Sequence, residues 1–547
     1  MTSLIFIAFH SLLFLIGRGF IIIFAKFLKA DLNFDKHKIA NLELLNFYPV
    51  LGLFIIGNLT VFLNFFIPVK NIFIIFFLII FSNFLSPLKK LDKKSTIYFI
   101  VNPFLLGISS YGISIAQDAG LYHLNAQSWI INEKVNFGLT NLHLRYGYSS
   151  IFEYISSNFW IIENNFILIH FLNLTFIVLF YNFIFCNLFE SKNTHLKSFS
   201  IAILIFGFLD NFGINGGRNG YIDIEAITKY DTSFAIVYLL AFIILVNSIV
   251  ENNFSKVEIS VIVFLVVFSV QLRIFGASLF PIFLFWILKI LRGNNIKKLK
   301  ASFSIGSLLL SLFFLKNFFI SGCLVFPISS TCFKSLPWFK RSSAYLESTD
   351  LNNFHISYNF GENLLEWFSR WSSKEFNYST LLNFAFSFLI VYLFHLFFFK
   401  SLEKNNLLKL IIFFQIFISF IIWIISAPGI RFGLGLFIQS LVLISISYLN
   451  YDNRLKISNK AVNTIYSSLF IVTIIFTLRI NSYSDFFINY TNFVSIEPKL
   501  VTYIDNPNGW GVLTANNTSS CWINIECLPE KSKVKRVKGF YDYFISE

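Results

Sequence analysis

Charged side chains are scarce in this sequence of 547 residues: only 13% are Asp, Glu, Lys or Arg, against roughly a quarter in ordinary soluble proteins. Hydrophobic residues make up 56% of the chain. A soluble protein of this length has too little interior to bury so much apolar surface, so a large soluble protein is excluded. The composition therefore predicts an integral membrane protein.

Cysteine is also scarce, and no group of His and Cys residues has the spacing of a zinc site. Cys323 and Cys332 are close in sequence, as are Cys521 and Cys527, whereas Cys186 stands alone in an apolar run. We expect the two pairs to form disulfides on an oxidising side of the membrane, unless their spacing is coincidental. The sequence also lacks internal repeats, and its first apolar run is too long for a cleaved signal peptide and has no basic start.

Long apolar runs recur along nearly the whole chain, and each is long enough to cross the hydrocarbon core as a helix. We predict an all-α, polytopic bundle of about fourteen transmembrane helices over residues 1–480, followed by a small external tail, 481–547. The runs lie near 3–25, 45–66, 71–88, 96–115, 162–189, 199–214, 232–249, 259–272, 277–291, 301–320, 380–399, 408–426, 432–449 and 461–480.

Basic residues orient these helices. One alternating set of connections contains 22 Lys and Arg residues: 26–43, 89–95, 190–198, 250–258, 289–300, 400–409 and 450–460. The short connections of the other set contain seven. Since cytoplasmic connections carry the excess of Lys and Arg, we predict that the first set is cytoplasmic and that both termini are external. The external segments are then 116–161, 215–231, 321–379 and the tail, and the net charge of +14 gives no reason to expect nucleic-acid binding.

The longest external segment contains an amphipathic stretch, NLLEWFSRW. Its apolar and aromatic side chains share one face of a helix, while its charged side chains lie elsewhere. Two interpretations are equally consistent with this pattern. The helix lies in the membrane surface with its aromatics among the headgroups, or it packs on the external surface of the protein itself.

A polar stretch, QDAGLYHLNAQSW at residues 117–129, follows the fourth apolar run. Asp118 could be the N-cap of the next helix, where its carboxylate would satisfy free backbone amides. It could instead be a reactive group, because His123, His143 and Arg145 follow in the same external segment. The two histidines could also serve only to orient the loop through hydrogen bonds.

More ionisable residues lie in the other external segments: Asp223, Glu225, Asp231, Arg273 and Arg431. Ionisable groups at the edge of a membrane are costly, so a set of them on one face indicates a substrate site. Simpler interpretations remain open. The three acidic residues could form a cation site or a solvated loop. Arg273 could reach the lipid interface or cap a helix end, and Arg431 could be held by carbonyls freed at a Pro-Gly helix break.

These residue types suit the transfer of a sugar from a lipid-phosphate donor. A carboxylate beside the membrane can accept the proton of an acceptor hydroxyl or help to hold a divalent cation. Arginine presents a planar fork of donors that pairs well with phosphate. The lipid chain would stay in the bilayer while arginine stabilises the departing phosphate and Asp118 activates the acceptor.

Five stretches, spread over residues 118 to 527, resemble a known family: DAGLYHLNAQSWI, GLTNLHLRYGYSSIF, GCLVFPISSTCF, APGIRFG and CWINIECLP. The chain resembles the GT-C superfamily of membrane glycosyltransferases, which use polyprenyl-phosphate-linked sugars. It is more closely similar to an uncharacterised bacterial membrane-protein family related to them. The resemblance implies a GT-C-like bundle that takes part in cell-surface glycan assembly.

The resemblance also implies roles for individual residues. Asp118 matches the early external acidic residue that serves as catalytic base or metal partner, and His123 is a second catalytic candidate. Arg273 and Arg431 match the basic residues near outer helix ends that contact the lipid phosphate. Arg145 and His143 are further candidates for this contact, and Asp223, Glu225 and Asp231 could supply acidic support.

Two features depart from the GT-C pattern. Three extra helices precede Asp118, and no acidic residue neighbours it in sequence. The metal role is therefore in doubt, and whether a divalent cation such as Mg²⁺ or Mn²⁺ is a cofactor stays open.

Two other classes of protein remain as alternatives. A flippase or transporter of lipid-linked saccharides would need charges near the midplane and often has repeated halves. The sequence shows neither acidic residues in the middle of its apolar runs nor a repeat, which counts against this class. A surface-polysaccharide polymerase would rely on arginines in large outer loops and would need no acidic base. The expected partners are the bilayer, a polyprenyl-phosphate-linked sugar, and a glycan, lipid or protein acceptor. The expected location is a bacterial inner membrane with the active face outside the cytoplasm.

Overall fold

The computed structural model describes the chain except for residues 28–36, 72, 87–92, 161–164, 192, 212–223, 225, 253, 294, 340, 360, 399–405, 448–463, 465–466, 469–470, 472–479, 508–509, 516–519, 529–532 and 547. The described part is mostly helical. Its helices up to residue 251 are α1 (Thr2–Phe27), α2 (Tyr48–Asn64), α3 (Phe73–Phe81), α4 (Lys93–Thr96), α5 (Asn102–Gly107), α6 (Leu124–Asn132), α7 (Ile151–Ser156), α8 (Ile167–Phe189), α9 (Thr194–Asn211) and α10 (Asp231–Glu251).

The remaining helices are α11 (Lys256–Leu272), α12 (Phe280–Arg292), α13 (Ile296–Ser321), α14 (Arg341–His355), α15 (Leu364–Ser372), α16 (Glu375–Phe398), α17 (Asn406–Ser426), α18 (Ile430–Ser447) and α19 (Ile480–Asn489). The strands are β1 (Lys38–Ile39), β2 (Leu42–Glu43), β3 (Tyr503–Asp505), β4 (Val512–Thr514), β5 (Cys527–Leu528), β6 (Val534–Val537) and β7 (Tyr543–Ser546).

Eight helices within the described residues are long and apolar enough to cross a membrane. They cover Thr2–Lys26, Leu44–Asn64, Ile167–Phe189, Asp231–Glu251, Ile274–Arg292, Ile296–Ser321, Asn377–Phe397 and Leu407–Ser426. Shorter apolar helices occupy Phe76–Leu85, Ile97–Gly112, His195–Gly207 and Ile430–Ile444. The protein is thus a helical membrane protein. Of the other predicted runs, 259–272 falls in the 17-residue helix α11, and 461–480 lies almost entirely outside the described residues.

Helix ends that the sequence assigned to one side of the membrane meet at one end of the bundle, which we call the site end. Three hydrogen bonds join the segment 116–166 to the C-terminal ends of α2, α11 and α13: Asn64 to the Glu133 carbonyl (2.9 Å), Ser150 to the Leu272 carbonyl (2.8 Å) and Gly138 to the Phe319 carbonyl (2.9 Å). At the opposite end, Ser255 before α11 contacts His37, which precedes α2, at 3.0 Å. The helices therefore run up and down through the bundle.

Polar side chains join the long helices inside the apolar body. The Tyr238 hydroxyl on α10 lies 3.0 Å from Ser278 and 3.3 Å from Ser419 of α17, and donates to Gln439 of α18 at 3.0 Å. All four side chains are buried. Where water is absent, such bonds hold helices together without a hydrophobic driving force.

The first two helices approach closely because each has a glycine at their crossing. A Cβ at Gly17 would overlap the Tyr48 carbonyl oxygen, and one at Gly52 would overlap the Leu13 carbonyl oxygen. Small residues allow helix backbones to come into van der Waals contact in a membrane. This contact anchors α1 to the rest of the bundle.

The C-terminal tail folds as two small β units. Antiparallel β3 and β4 form a sheet with β5, which pairs in parallel with β4, while β6 and β7 form a separate antiparallel pair. A disulfide joins Cys521 to Cys527, and a second one joins Cys323 to Cys332 shortly after α13. Cys186 is free and buried.

Replacing Gly17 by Val tests the α1–α2 contact. We expect a loss of about 1–3 kcal/mol or more of stability, because the added side chain forces two backbones apart. Thermal unfolding in detergent would show a lower midpoint. Leu12→Val, on the exposed side of the same helix, should leave the midpoint unchanged, and equal midpoints for the two variants would contradict the proposed packing.

Candidate functional site

A single π-helical turn, Ala119–His123, opens the helical segment that contains α6. Asp118 occupies the N-cap position of this turn, yet its side chain makes no capping hydrogen bond. The carboxylate is partly exposed at the site end. Insertions of this kind within helices are frequent at functional sites. The capping interpretation of Asp118 therefore finds no support in the geometry.

His123 is only 6% exposed, and its Nδ1 lies in direct contact with Oε1 of the buried Glu153 on α7. The second carboxylate oxygen accepts a hydrogen bond from the Gln127 amide at 2.7 Å. Gln127 in turn accepts a hydrogen bond from the indole of Trp160 at 2.8 Å. The imidazole is thus held by a chain of buried polar partners, as buried polar groups require.

Asp231, the first residue of α10, is the anionic centre of the site. Its Oδ1 is in direct contact with the Arg273 guanidinium, and its Oδ2 lies 3.8 Å from Nε of Arg431. The carboxylate is almost fully buried, whereas the two arginine side chains are 24% and 40% exposed. The start of α10 lies beside the end of α11 and the start of α18, so the Asp231 carboxylate connects three helices. It also holds the guanidinium groups of Arg273 and Arg431 close together.

Aromatic rings surround the two arginines. The Arg273 guanidinium lies over the rings of Tyr230 (5.2 Å) and Phe432 (4.4 Å), and Arg431 lies 4.8 Å from the centre of the same Phe432 ring. Tyr230 stacks on Phe152 at 4.9 Å. These cation–π contacts hold the guanidinium groups without neutralising them.

His355 is the last residue of α14 and lies close to the cluster around Asp231. Its ring lies 5.0 Å from Phe432. Its pKa is lowered from 6.5 to about 4, first because the imidazole is buried and then because four cations act on it: Arg431, Lys374, Arg273 and Arg145. The imidazole is neutral at pH 7, and we call the four cations that act on it the cationic region.

His143 supports the loop that contains Arg145. Its Nδ1 accepts a hydrogen bond from the Arg145 backbone amide at 3.1 Å. Burial and the adjacent arginine lower the pKa of His143 to about 4. Arg145 itself is exposed and lies 5.4 Å from the centre of the Tyr122 ring, and the negative charge of Asp118 also acts on Tyr122. The loop therefore connects the Asp118 turn to the cationic region.

Helices α14 and α15 cover one side of the site. Tyr148 donates a hydrogen bond to Glu347 of α14 at 2.7 Å. The indoles of Trp367 and Trp371 on α15 donate to the carbonyls of Ile356 and Pro428, at 2.7 and 2.8 Å. The last of these carbonyls belongs to the break between α17 and α18, so α15 supports the segment that positions Arg431.

The α15 helix also has an exposed apolar edge. Leu364, Leu365 and Phe368 are exposed, whereas the two tryptophans are buried. The helix thus packs on the protein through one edge and presents the other to its surroundings. The buried tryptophans agree with the interpretation that this stretch packs on the protein itself, while its placement in a membrane surface stays a prediction.

An apolar groove runs between α9, α16 and α18. It is lined by Phe206, Thr380, Leu381, Phe384, Ile430, Leu434 and Phe437. The groove is small, and Ile430 in its lining directly precedes Arg431 in the sequence.

The C-terminal tail packs over the Asp118 turn. Trp522 donates its backbone N–H to the Gly120 carbonyl at 2.9 Å, and a Cβ at Gly120 would lie 2.6 Å from the Trp522 ring. Asn125 and Ser128 of α6 donate to the carbonyls of Asn524 and Ile523, at 2.6 and 2.7 Å. The disulfide-closed loop of the tail is therefore part of the site's framework.

The structure brings together most of the residues singled out from the sequence. Arg273, Arg431 and Asp231 form one cluster, and Arg145, His143, His123 and Asp118 lie in the adjoining loop and turn. Asp223 and Glu225 lie outside the described residues. Within the described part, no three His, Cys, Asp or Glu side chains come close enough to hold a metal ion.

Sequence reasoning missed Glu153, Tyr230, His355 and Lys374. One feature of the sequence could have indicated Glu153: it is an acidic residue within the apolar stretch IFEYI. The other three acquire their position only through the packing of helix ends. No local pattern in the sequence distinguishes them.

Fold and site together define a polytopic helical membrane protein with a cluster of ionised side chains at one end of its bundle. The chain belongs to the family described as a domain of unknown function, DUF8201, whose sequence model matches residues 1–438. The match includes every described site residue from Asp118 to Arg431, while the tail lies beyond it. No curated protein and no solved structure matches the chain.

Acidification should destabilise the protein through His355. Because the folded pKa of about 4 is below the unfolded value of 6.5, the unfolded state binds more protons between these pH values. Stability is then full above pH 6.5 and falls as the pH drops toward 4. Over this pH range we expect the stability of His355→Gln to fall by roughly 1–2 kcal/mol less than that of the wild type, a figure that allows for solvent screening of a partly exposed ring. Unfolding midpoints of both proteins, measured from pH 7.5 to 4, would show this difference. The same pH dependence in the variant as in the wild type would contradict the role of His355 in acid destabilisation.

Proposed function

We propose that the protein is a membrane glycosyltransferase that moves a sugar from a polyprenyl-phosphate donor to an acceptor on the non-cytoplasmic face. The proposal includes a GT-C-like bundle of about fourteen helices in a bacterial inner membrane. The observation that supports it is a group of four cations around His355, one of which, Arg431, directly follows a residue that lines the small apolar groove. A lipid-linked phosphate has the two matching parts, an anionic group and a long hydrocarbon chain.

Phosphate recognition is supported by the charges around His355. The four charged groups acting on this imidazole are all cations, while Asp231 pairs with only two of them. Arg431 is the most suitable for direct contact, because its side chain is 40% exposed and its ion pair with Asp231 is long, at 3.8 Å. Charge-assisted bonds from guanidinium groups to phosphate are among the strongest in proteins.

Transfer itself needs a place for the acceptor. The Asp118 turn and Tyr122 lie on the Arg145 side of the cationic region, beneath the tail. An acceptor hydroxyl bound there would lie between the phosphate-binding cations and two groups able to take its proton, Asp118 and His123. When the sugar leaves the phosphate, the cations stabilise the negative charge that develops on it.

Replacing Arg431 by Gln should weaken binding of decaprenyl phosphate at least tenfold, about 1.4 kcal/mol, because a charge-assisted contact is lost. Arg370→Gln provides the matched control. Arg370 is an exposed arginine on α15, paired with Glu362, and lies outside the cation set acting on His355. Binding to protein in nanodiscs would be measured for both. Equal affinities of the two variants would contradict the proposed phosphate site.

The same binding measurement distinguishes recognition of the phosphate head group from recognition of the hydrocarbon chain. Leu381→Trp narrows the groove and should weaken binding of decaprenyl phosphate while leaving binding of inorganic phosphate unchanged. The transfer reaction is tested in proteoliposomes with polyprenyl-phosphate-linked hexoses, measured as release of polyprenyl phosphate. No release from any donor in a broad panel, with lipid binding intact, would contradict glycosyl transfer and favour a transporter of lipid-linked saccharides.

A further inference from the structure

The contact between His123 and Glu153 lies beside the cationic region, because Tyr230 contacts both His123 and Arg273. Ser150, at the start of the helix that carries Glu153, donates its hydroxyl proton to the Leu272 carbonyl at 2.8 Å. Leu272 immediately precedes Arg273. The acidic residue of the pair and the arginine are thus fixed to one another through adjacent backbone segments.

Glu153 cannot turn away from the imidazole at low cost. One carboxylate oxygen contacts Nδ1 of His123 and the other accepts from Gln127 at 2.7 Å. Gln127 is itself held by the Trp160 indole. A buried carboxylate with two partners is far more restricted than the side chain of Asp118, which makes no hydrogen bond to any residue that the structure describes.

The contact with Glu153 determines which imidazole nitrogen is free. A carboxylate accepts a proton from Nδ1–H, so Nε2 is the unprotonated nitrogen of the neutral ring. Nε2 has no hydrogen-bond partner among the described residues. The ring meets Tyr230 edge to face at 6.1 Å, and the Arg273 guanidinium lies 5.2 Å from the centre of the Tyr230 ring.

We propose that His123 is the group that accepts the acceptor's proton and that Glu153 is its positioning residue, an inference that rests on the proposed function. The acceptor oxygen forms a bond to the sugar's anomeric carbon, and the bond from that carbon to the phosphate oxygen breaks. The electron pair goes to the phosphate, which leaves as lipid phosphate held by the arginines. The hydroxyl proton moves to Nε2, and Glu153 stabilises the resulting imidazolium, as in other oriented histidine bases.

Asp118 then has a secondary role. Its charge acts on Tyr122, but no hydrogen bond to a described residue orients its carboxylate. An oriented base contributes far more to a proton transfer than an unoriented one. The division of roles between Asp118 and His123 is the part of the proposal that mutation can separate.

The pairing is tested without any activity assay. Nitrogen-15 NMR of imidazole-labelled protein in nanodiscs, with the His123 signal identified by its loss in His123→Gln, reports the tautomer directly. We expect a protonated Nδ1 and a bare Nε2 in the wild type, and loss of this preference in Glu153→Gln. A bare Nδ1 in the wild type would overturn the proposal, whether or not the protein transfers sugar.

The catalytic roles are tested by release of polyprenyl phosphate from the donors described above. We expect His123→Gln and Glu153→Gln each to lower kcat at least 100-fold while binding decaprenyl phosphate within twofold of the wild type. Glu153→Asp should recover part of the lost rate, and Asp118→Asn should lose less than tenfold. Full activity of His123→Gln, or a larger loss in Asp118→Asn than in His123→Gln, would overturn the assignment. A wild type that binds decaprenyl phosphate but turns over no donor would refute glycosyl transfer, and the NMR result would still decide the pairing.

Discussion

The carboxylate of Asp231 is the interaction on which the site depends. A buried negative charge at the first residue of α10 is stabilised by the positive end of that helix and by Arg273. Arg431 approaches from the start of α18, so three helix ends converge on one anion. Removing it would leave two partly exposed arginines close together without the carboxylate that pairs with them. The phosphate site that we propose follows from this arrangement, because Asp231 pairs with only two of the four cations that act on His355.

The side chains around Asp231 come from several separate parts of the chain. The segment 116–166 supplies Asp118, His123 and Arg145, the helix α14 supplies His355, and the tail covers the turn through Trp522. Hydrogen bonds to backbone carbonyls at helix ends hold these pieces together. Such carbonyls lack partners within their own helices, so they are natural anchoring points for loops. A small apolar groove lined in part by Ile430 lies between α9, α16 and α18.

Much of the helical architecture could be predicted, because membrane helices are encoded by local apolar runs whose length follows from the bilayer. Arg273, Arg431 and Asp231 could be named as well, because an ionised residue at a helix end is conspicuous in so apolar a chain. The pairing of Asp231 with both arginines could not, since it depends on which helix ends meet. Glu153 was overlooked because a lone acidic residue in an external stretch resembles a solvated one. The packing of the tail over Gly120 could not be predicted either, because a glycine permits close approach but does not identify the residue that approaches it.

The central claim is that the cationic region, formed by Arg431, Lys374, Arg273 and Arg145, receives the phosphate of a membrane lipid whose chain occupies the adjacent groove. Its most direct test is an electron cryo-microscopy structure of the protein in nanodiscs supplemented with decaprenyl phosphate. The account predicts phosphate density within hydrogen-bonding distance of Arg431 and continuous chain density along Leu381, Phe384 and Phe437. Density for the lipid at any other place, with the groove and the arginines unoccupied, would contradict it.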